Sequence, residues 1–182
     1  MGHHTADELT AGLDEILRSP AAQGTVELIV RRPAADEREV LDEAVLDLDE
    51  GLVGDVWRSR GSSRRPDRAP NPLAQLTLMN ARAAKAIAGS RDRWPLAGDQ
   101  LYVDLDISVG NLPPGTRLAV GDAVIEVTAE PHTGCAKFSA RFGSDALKFV
   151  NKSPGRELRL RGVNTRVVTP GTVRTGDAIV KL

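Results

Sequence analysis

The residue best suited to covalent or metal chemistry is the single cysteine, Cys135. It stands in Pro131-His132-Thr133-Gly134-Cys135-Ala136-Lys137-Phe138, with Arg141 just beyond. The stretch follows an alternating run over 123–129 and precedes a helical pattern over 144–150, so the sulfur lies outside a regular element. Thiolate is the reactive form of cysteine, and a free thiol ionises near pH ~8.5. Neighbouring cations and helix N-terminal N–H groups lower that value. His132, Lys137 and Arg141 provide an electropositive surround, and Gly134 lets the backbone approach a ligand closely. A lone cysteine is also commonly a small buried hydrophobe, and the residues leave the two readings side by side. A Cys–His hydrolase is disfavoured. His3 and His4 stand at the N-terminus, only His132 remains as a base, and i,i+3 neighbours in a loop rarely align for proton transfer. The chain has no G-x-x-x-x-G-K-[ST], G-x-G-x-x-G or H-E-x-x-H motif. Asp104 and Asp106 read as solvent-facing alternation on one strand rather than as an acid/base pair.

The elements that must position these residues follow from the hydrophobic period. Thr5-Ala6-Asp7-Glu8 forms a capping box ahead of Leu9, Leu13, Ile16 and Leu17, which predicts an amphipathic helix over 5–18 stopped by Ser19-Pro20. Val26, Leu28 and Val30 alternate as a strand, and so do Val40, Ala44, Leu46 and Leu48, with Asp42 off the pattern and the acidic residues facing water. Residues 58–72 read as a loop, with Arg58, Arg60, Arg64, Arg65 and Arg68 among Gly, Ser and Pro: a solvated surface loop or an anion-gripping arm. Gln75–Leu78 is a short strand, and Asn80 caps an Ala-rich helix ending at Gly89. Further strands are predicted over 101–105, 117–120, 123–129, 162–168, 172–175 and 178–182, with a helix over 144–150. Arg117–Val127 and Thr172–Leu182 resemble each other, each with a Gly-Asp pair (Gly121-Asp122 and Gly176-Asp177) between two strands as in a hairpin turn. Short strands at this spacing predict a mainly β fold, a closed or nearly closed β-barrel with peripheral helices.

Composition bounds the function classes. The chain has 182 residues, enough for one domain, and only 3% aromatics, which argues against stacking platforms for single-stranded nucleic acid. No apolar run approaches the ~18 residues of a membrane span, and the N-terminus lacks an apolar signal core, so a cytoplasmic protein is expected. One cysteine excludes an internal disulfide framework. The net charge of −1 conceals an asymmetry: residues 1–55 carry 14 acidic and 4 basic side chains, residues 56–182 carry 11 and 20. The basic part suits a small anion, while the acidic first third disfavours a phosphate-rich polymer.

Several segments in order resemble one family. They are Gly51-Leu52-Val53-Gly54-Asp55, then Gln75–Leu78 and its Ala-rich helix, Gly98-Asp99-Gln100-Leu101, Leu112–Asp122, the Cys135 stretch, Gly162-Val163-Asn164-Thr165-Arg166, and Gly171–Asp177. In this order the chain resembles the MOSC domain, named for the C-terminal domain of molybdenum cofactor sulfurases, over residues 25–182, with residues 1–24 as an N-terminal helical arm. The resemblance implies a barrel like the one inserted in pyruvate kinase. It implies a stand-alone MOSC-domain protein that binds a molybdenum–pterin cofactor or carries sulfur on Cys135, as a reductase of N-hydroxylated compounds or a sulfurtransferase-type carrier. By the family pattern Cys135 is sulfur carrier or metal ligand. His132, Thr133, Lys137, Arg141, Asn164 and Arg166 line the pocket, and Gly54 and Asp55 match the N-terminal motif.

Two departures stand out. The family commonly continues Gly-Asp-Arg-His where this chain has Gly54-Asp55-Val56-Trp57, and the arginine loop that follows offers replacement charge. The family's Gly-Glu-Asn-Leu is here Gly98-Asp99-Gln100-Leu101, which implies the same backbone role. The chain contains no flavin or Fe–S fingerprint and no pyridoxal-phosphate domain. A reductase would need an electron-transfer partner, and a sulfur carrier would need a cysteine desulfurase. The competing reading is a non-catalytic barrel that binds a small anionic ligand or a partner protein, with Cys135 structural. The apolar stripe of the first helix must pack on the barrel or on a second subunit of a homo-oligomer.

Overall fold

The computed structural model describes residues 2–63 and 65–182. Arg64 of the arginine loop lies outside the described residues. Seven strands close a barrel: β1 (Gln23–Arg31), β5 (Leu76–Asn80), β6 (Leu101–Asp104), β7 (Arg117–Val120), β8 (Ala123–Val127), β9 (Val163–Thr169) and β11 (Ala178–Lys181). The sheet runs β11-β7-β8-β9-β5-β6-β1 and is shut by antiparallel pairing of β1 with β11, Gly24 opposite Ile179. A short β2 (Glu39–Leu41) pairs with the far end of β1, and β3 (Glu43–Asp47), β4 (Gly51–Leu52) and β10 (Gly171–Arg174) form a separate three-stranded sheet. Among the described residues the one parallel pair of the barrel is β5 with β6. It needs a crossover, which α4 (Ala81–Ala88) and the 3₁₀ turn Arg91–Ala97 provide.

Inward residues of every barrel strand form one core, including Val26, Ile29, Leu76, Leu78, Leu101, Val103, Leu118, Ile125, Val163 and Ile179. Branched aliphatics suit both the strand conformation and a small barrel interior. A second cluster joins the outer face of β1, β5 and β6 to a helical layer: α1 (Ala6–Ala11), α2 (Leu13–Leu17), α4, α5 (Ala136–Phe142) and α6 (Ser144–Asn151). Leu9 is fully buried there beside Ala83, Phe142 and Ala146, so the N-terminal stripe packs on this chain's own helices.

Local capping explains several element ends. Thr5 and Glu8 close the capping box, and the Asn80 side chain accepts from Ala83 N at 2.9 Å while donating to the Leu105 carbonyl. The predicted helix over 5–18 is instead two short helices broken at Gly12, where the chain lies against the Ala86 methyl. The run from Val40 to Leu48 breaks at Asp42 into strands of different sheets, leaving Val40 and Leu48 exposed. The Gly121-Asp122 pair joins a true hairpin, with Val120 opposite Ala123. Gly176-Asp177 does not: β10 pairs with β3 and β11 with the barrel. The chain changes sheets at that turn, and Asp177 holds it by accepting from Arg174 N at 2.7 Å. The 58–72 segment contains a helical turn, α3 (Trp57–Arg60), and a 3₁₀ turn over Pro72–Ala74. Among the described residues no helix is long and apolar enough to cross a membrane.

Candidate functional site

A cleft of about 630 Å³ opens where the β1–β2 connection, α3 and the loop after it, the 97–99 turn, the 130–135 loop and α5 converge. This lies within the usual size range of small-ligand sites, about 300–1,000 Å³. His132, Thr133, Cys135, Lys137, Arg141 and Asn164 all line it.

Cys135 is the N-cap of α5, exposed, with extended backbone. Its burial pushes the thiol up, but the N–H groups of Phe138 and Lys137 and the charges of Arg161 and Arg141 outweigh it and hold the thiol below its ordinary value. No side-chain cap hydrogen bond forms, so the sulfur is stabilised by dipoles and charge rather than tied to one donor. The loop before it is held from two sides. The Asn151 amide donates to the Gly134 carbonyl at 3.0 Å and accepts from Gly134 N at 2.9 Å. The Asn164 amide donates to the carbonyls of Glu130 and Pro131 at 3.0 and 3.2 Å. Asn164 therefore acts on the cleft by fixing the loop.

Behind the loop lies a buried charge hub. The Asp99 carboxylate is fully buried and accepts from Arg161 Nη1 at 2.5 Å. His132 Nε2 lies 2.8 Å from its other oxygen. Burial would raise the Asp99 carboxyl, but the charge of Arg161, the charge His132 gains in the acid range where Asp99 titrates, and the hydrogen bonds of both outweigh it and hold it well below the usual carboxylate range. Burial and the Arg161 charge push His132 down against the pull of Asp99, so the ring is neutral at pH 7. With Asp99 ionised, Nε2 carries the proton and donates, which leaves Nδ1 as the acceptor. Arg161 also donates to the Ala97 carbonyl at 2.8 Å and stacks over the Phe138 ring at 5.1 Å. Gly162 permits this close assembly: at φ +112°, a Cβ there would lie 2.5 Å from the Leu78 carbonyl oxygen and 3.0 Å from the His132 ring.

A second buried pair supports the opposite wall. Asp55 accepts from Arg32 N, Nε and Nη2 at 3.0, 2.9 and 2.7 Å, and from Trp57 N at 2.9 Å. Arg32 Nη1 reaches the Gly98 carbonyl at 3.0 Å. Asp55 thus acts from beneath the cleft by aiming Arg32 and starting α3. Neither it nor Gly54 lines the cleft, although Val56 and Trp57 do.

Arg166 is not brought to the cleft. It projects from the exposed face of β9 and pairs with Glu126 at 2.6 Å. Asn164 and Arg166 share a strand face, but two residues of strand advance about 6–7 Å, which carries Arg166 past the opening. The Asp99 motif acts through its side chains as well as its backbone, because Gln100 accepts from Thr77 N at 2.9 Å beside the Asp99 hub. Arg161 and Arg32 are missed by motif reading. Nothing in their local pattern marks them, and only burial beside a carboxylate gives them a role. Asp104 is not free in solvent but pairs with Arg82 at 2.7 Å.

Lys137 and Arg141 converge on Asp36, at 3.2 and 2.8 Å. Asp36 has a left-handed backbone, φ +62°, and its carboxyl is held down by Lys137 first and by Arg141 and Arg38 as well. Arg38 has no carboxylate partner and donates to the Pro95 and Glu37 carbonyls.

These features define a mixed β-barrel with a cysteine at the wall of a cationic cleft. Residues 72–180 match the MOSC domain, well over half of the chain, and the chain belongs to that family. The fold is similar to the YuaD protein of Bacillus subtilis, with a TM-score of 0.64 at 17% identity over 86% of this chain and 94% of that one. It is also similar to YiiM of Escherichia coli, with a TM-score of 0.56 at 18% identity over 87% of this chain and 69% of that one. YiiM of Geobacillus stearothermophilus gives a TM-score of 0.53 at 11% identity over 89% and 73%. No curated protein sequence matches the chain.

Proposed function

We propose that the cleft binds a molybdenum–pterin cofactor and that Cys135 supplies the thiolate that ligates its metal. The observation that carries this reading is the exposed thiol of Cys135 on the wall of a cationic cleft, held below its ordinary ionisation range. The residues fit such a group. A thiolate is a soft metal ligand, and the guanidinium and ammonium groups of Arg141 and Lys137 match a phosphate. When bound, the cofactor supplies two-electron redox chemistry at the metal, of the kind that reduces N-hydroxylated compounds.

The chain's own residues bind, orient and exclude water. Lys137 and Arg141 exchange the Asp36 carboxylate for the ligand's phosphate. Trp57 and Phe138, both buried and both on the lining, provide apolar wall. Neutral His132 presents Nδ1 as a hydrogen-bond acceptor, with its proton kept at Nε2 by Asp99. Electrons come from a redox partner.

The exposure of Sγ favours a second use of the same thiolate, sulfur carriage. Cys135 would attack the outer sulfur of a donor persulfide, the donor's S–S bond would break, and the donor would leave as thiolate. A structural, buried Cys135 does not match an exposed residue.

The test is to express the chain with molybdate and assay metal content by mass spectrometry and pterin by fluorescence after oxidation. Near-stoichiometric molybdenum in the wild type and its loss in Cys135→Ala, with unchanged thermal unfolding, is the expected result. A trapped persulfide on Cys135 without molybdenum would replace cofactor binding by sulfur carriage. Neither signal would overturn both.

A further inference from the structure

The cations of the cleft are not all neutralised. Arg32 is spent on Asp55, Arg161 on Asp99, and Lys137 and Arg141 on Asp36. Arg60 and Arg68 also line the cleft, and among the described residues neither side chain meets a carboxylate. The nearest candidate for Arg60 is Asp55, but its two oxygens already accept four hydrogen bonds, which fills a carboxylate's lone-pair sites. Burial and the neighbouring Arg32 charge push the Arg60 guanidinium down, with Asp55 offsetting them only in part.

The loop that carries the two arginines brings the backbone of Arg68 up to the residues that follow Arg60, and both side chains line the cleft. Ser62 N donates to the Arg68 carbonyl at 3.3 Å, which ties these two positions together. Gly61, at φ +65°, makes that approach possible, because a Cβ there would sit 2.1 Å from the Arg68 carbonyl oxygen. Arg60 stands one residue before Gly61 on α3, which Asp55 anchors through Trp57 N. This pair is separate from the Lys137–Arg141 pair: Asp36 pairs with Lys137 and Arg141 and feels the charge of Arg38, but it pairs with neither Arg60 nor Arg68.

We infer that Arg60 and Arg68 form a second anion subsite in the cleft, so that its ligand carries two anionic groups, a phosphoryl at Lys137 and Arg141 and a further phosphoryl at the arginine loop. This rests on the reading of the cleft as a ligand site, but not on the identity of the metal. Charged pairs of this kind recognise phosphate bidentately. A ligand limited to one phosphate leaves both loop guanidiniums without a counterion, whereas an extended phosphate, as in a nucleoside diphosphate or polyphosphate, satisfies both subsites.

Trp57 lines the cleft three residues before Arg60, so its emission reads occupancy next to the subsite. Orthophosphate, pyrophosphate and tripolyphosphate are titrated into wild type, Arg60→Ala/Arg68→Ala and Lys137→Ala/Arg141→Ala, with calorimetry alongside. The wild type is expected to bind tripolyphosphate at least tenfold more tightly than orthophosphate. The arginine-loop variant should lose that gain while keeping its orthophosphate affinity. The Lys137/Arg141 variant should lose orthophosphate binding. An arginine-loop variant that keeps the full gain, while the Lys137/Arg141 variant still weakens, overturns the second subsite alone. Binding of all three probes that neither variant changes, or no binding to wild type, overturns the cleft as the anion site as well. Neither Arg60 nor Arg68 belongs to the buried core, so folding is preserved, and Arg60→Glu/Arg68→Glu gives a second variant in which the tripolyphosphate gain must reverse.

Discussion

Asp99→Asn tests the physical account of the site most directly. The wild-type carboxylate is fully buried and neutralises Arg161, whose side chain is 10% exposed. The amide keeps the shape but removes the charge. It can accept from only one of the two donors at a time, since its NH₂ must face the other. Arg161 then holds a buried guanidinium without a counter-charge, and breaking a buried pair in this way costs about 3–5 kcal/mol. For a chain of this length each kcal/mol lowers Tm by roughly 2–4 °C, so a fall of about 6–20 °C is expected.

The loss must also depend on pH in one direction. The Asp99 carboxyl is held below its ordinary range, so its stabilisation is complete above the unfolded carboxylate pKa of ~3.9 and is lost as pH falls towards the folded value. The variant lacks that contribution at every pH, so the two stability curves should converge below about pH 4. His132, buried and neutral, weakens both proteins as pH falls through ~6.5, which is why the difference between the curves is the quantity to follow. Urea unfolding at a series of pH values measures it. A loss under about 1 kcal/mol at pH 7, or a difference that does not shrink on acidification, would refute the argument. Asp99→Asn/Arg161→Met, which removes both charges, should recover part of the loss.

Three further outcomes follow from the same geometry. Alkylation of Cys135 followed against pH should report a pKa below the ordinary ~8.5, and Arg141→Ala should raise it by removing one of the cations that face the sulfur. Gly162→Ala should destabilise the fold by at least about 1–3 kcal/mol, because it forces a non-glycine residue to φ +112° with a Cβ against the Leu78 carbonyl, and equilibrium unfolding checks it. Arg166→Ala should leave anion binding to the cleft unchanged within twofold by calorimetry, since Arg166 is engaged with Glu126 on another face.

The barrel was legible because its evidence is local. Period-two runs, the Asn80 cap, the capping box at Thr5 and the Gly121-Asp122 turn all depend on neighbours a few residues apart, and the fold obeys them. Position 135 was legible too, since a cysteine among His, Lys and Arg is a feature of one short segment. Local pattern failed where partners are distant. Gly12 lies within one predicted helix and Asp42 reads as off the pattern of one strand, yet each separates two elements. Arg166 sits in the right motif, but strand rise carries it past the opening. Asp99, Arg161 and His132 lie 33 and 62 residues apart along the chain and acquire a common role only when burial brings opposite charges together and excludes water. The same holds for Arg32 with Asp55, 23 residues apart. The amino-acid sequence by itself determined most of the strands, their caps and the place of the one cysteine among His, Lys and Arg. The tertiary structure decided which charges are paired within the scaffold and which line the cleft without an ion-pair partner, because electrostatic pairing depends on distance in space and on burial, and neither is written in local pattern.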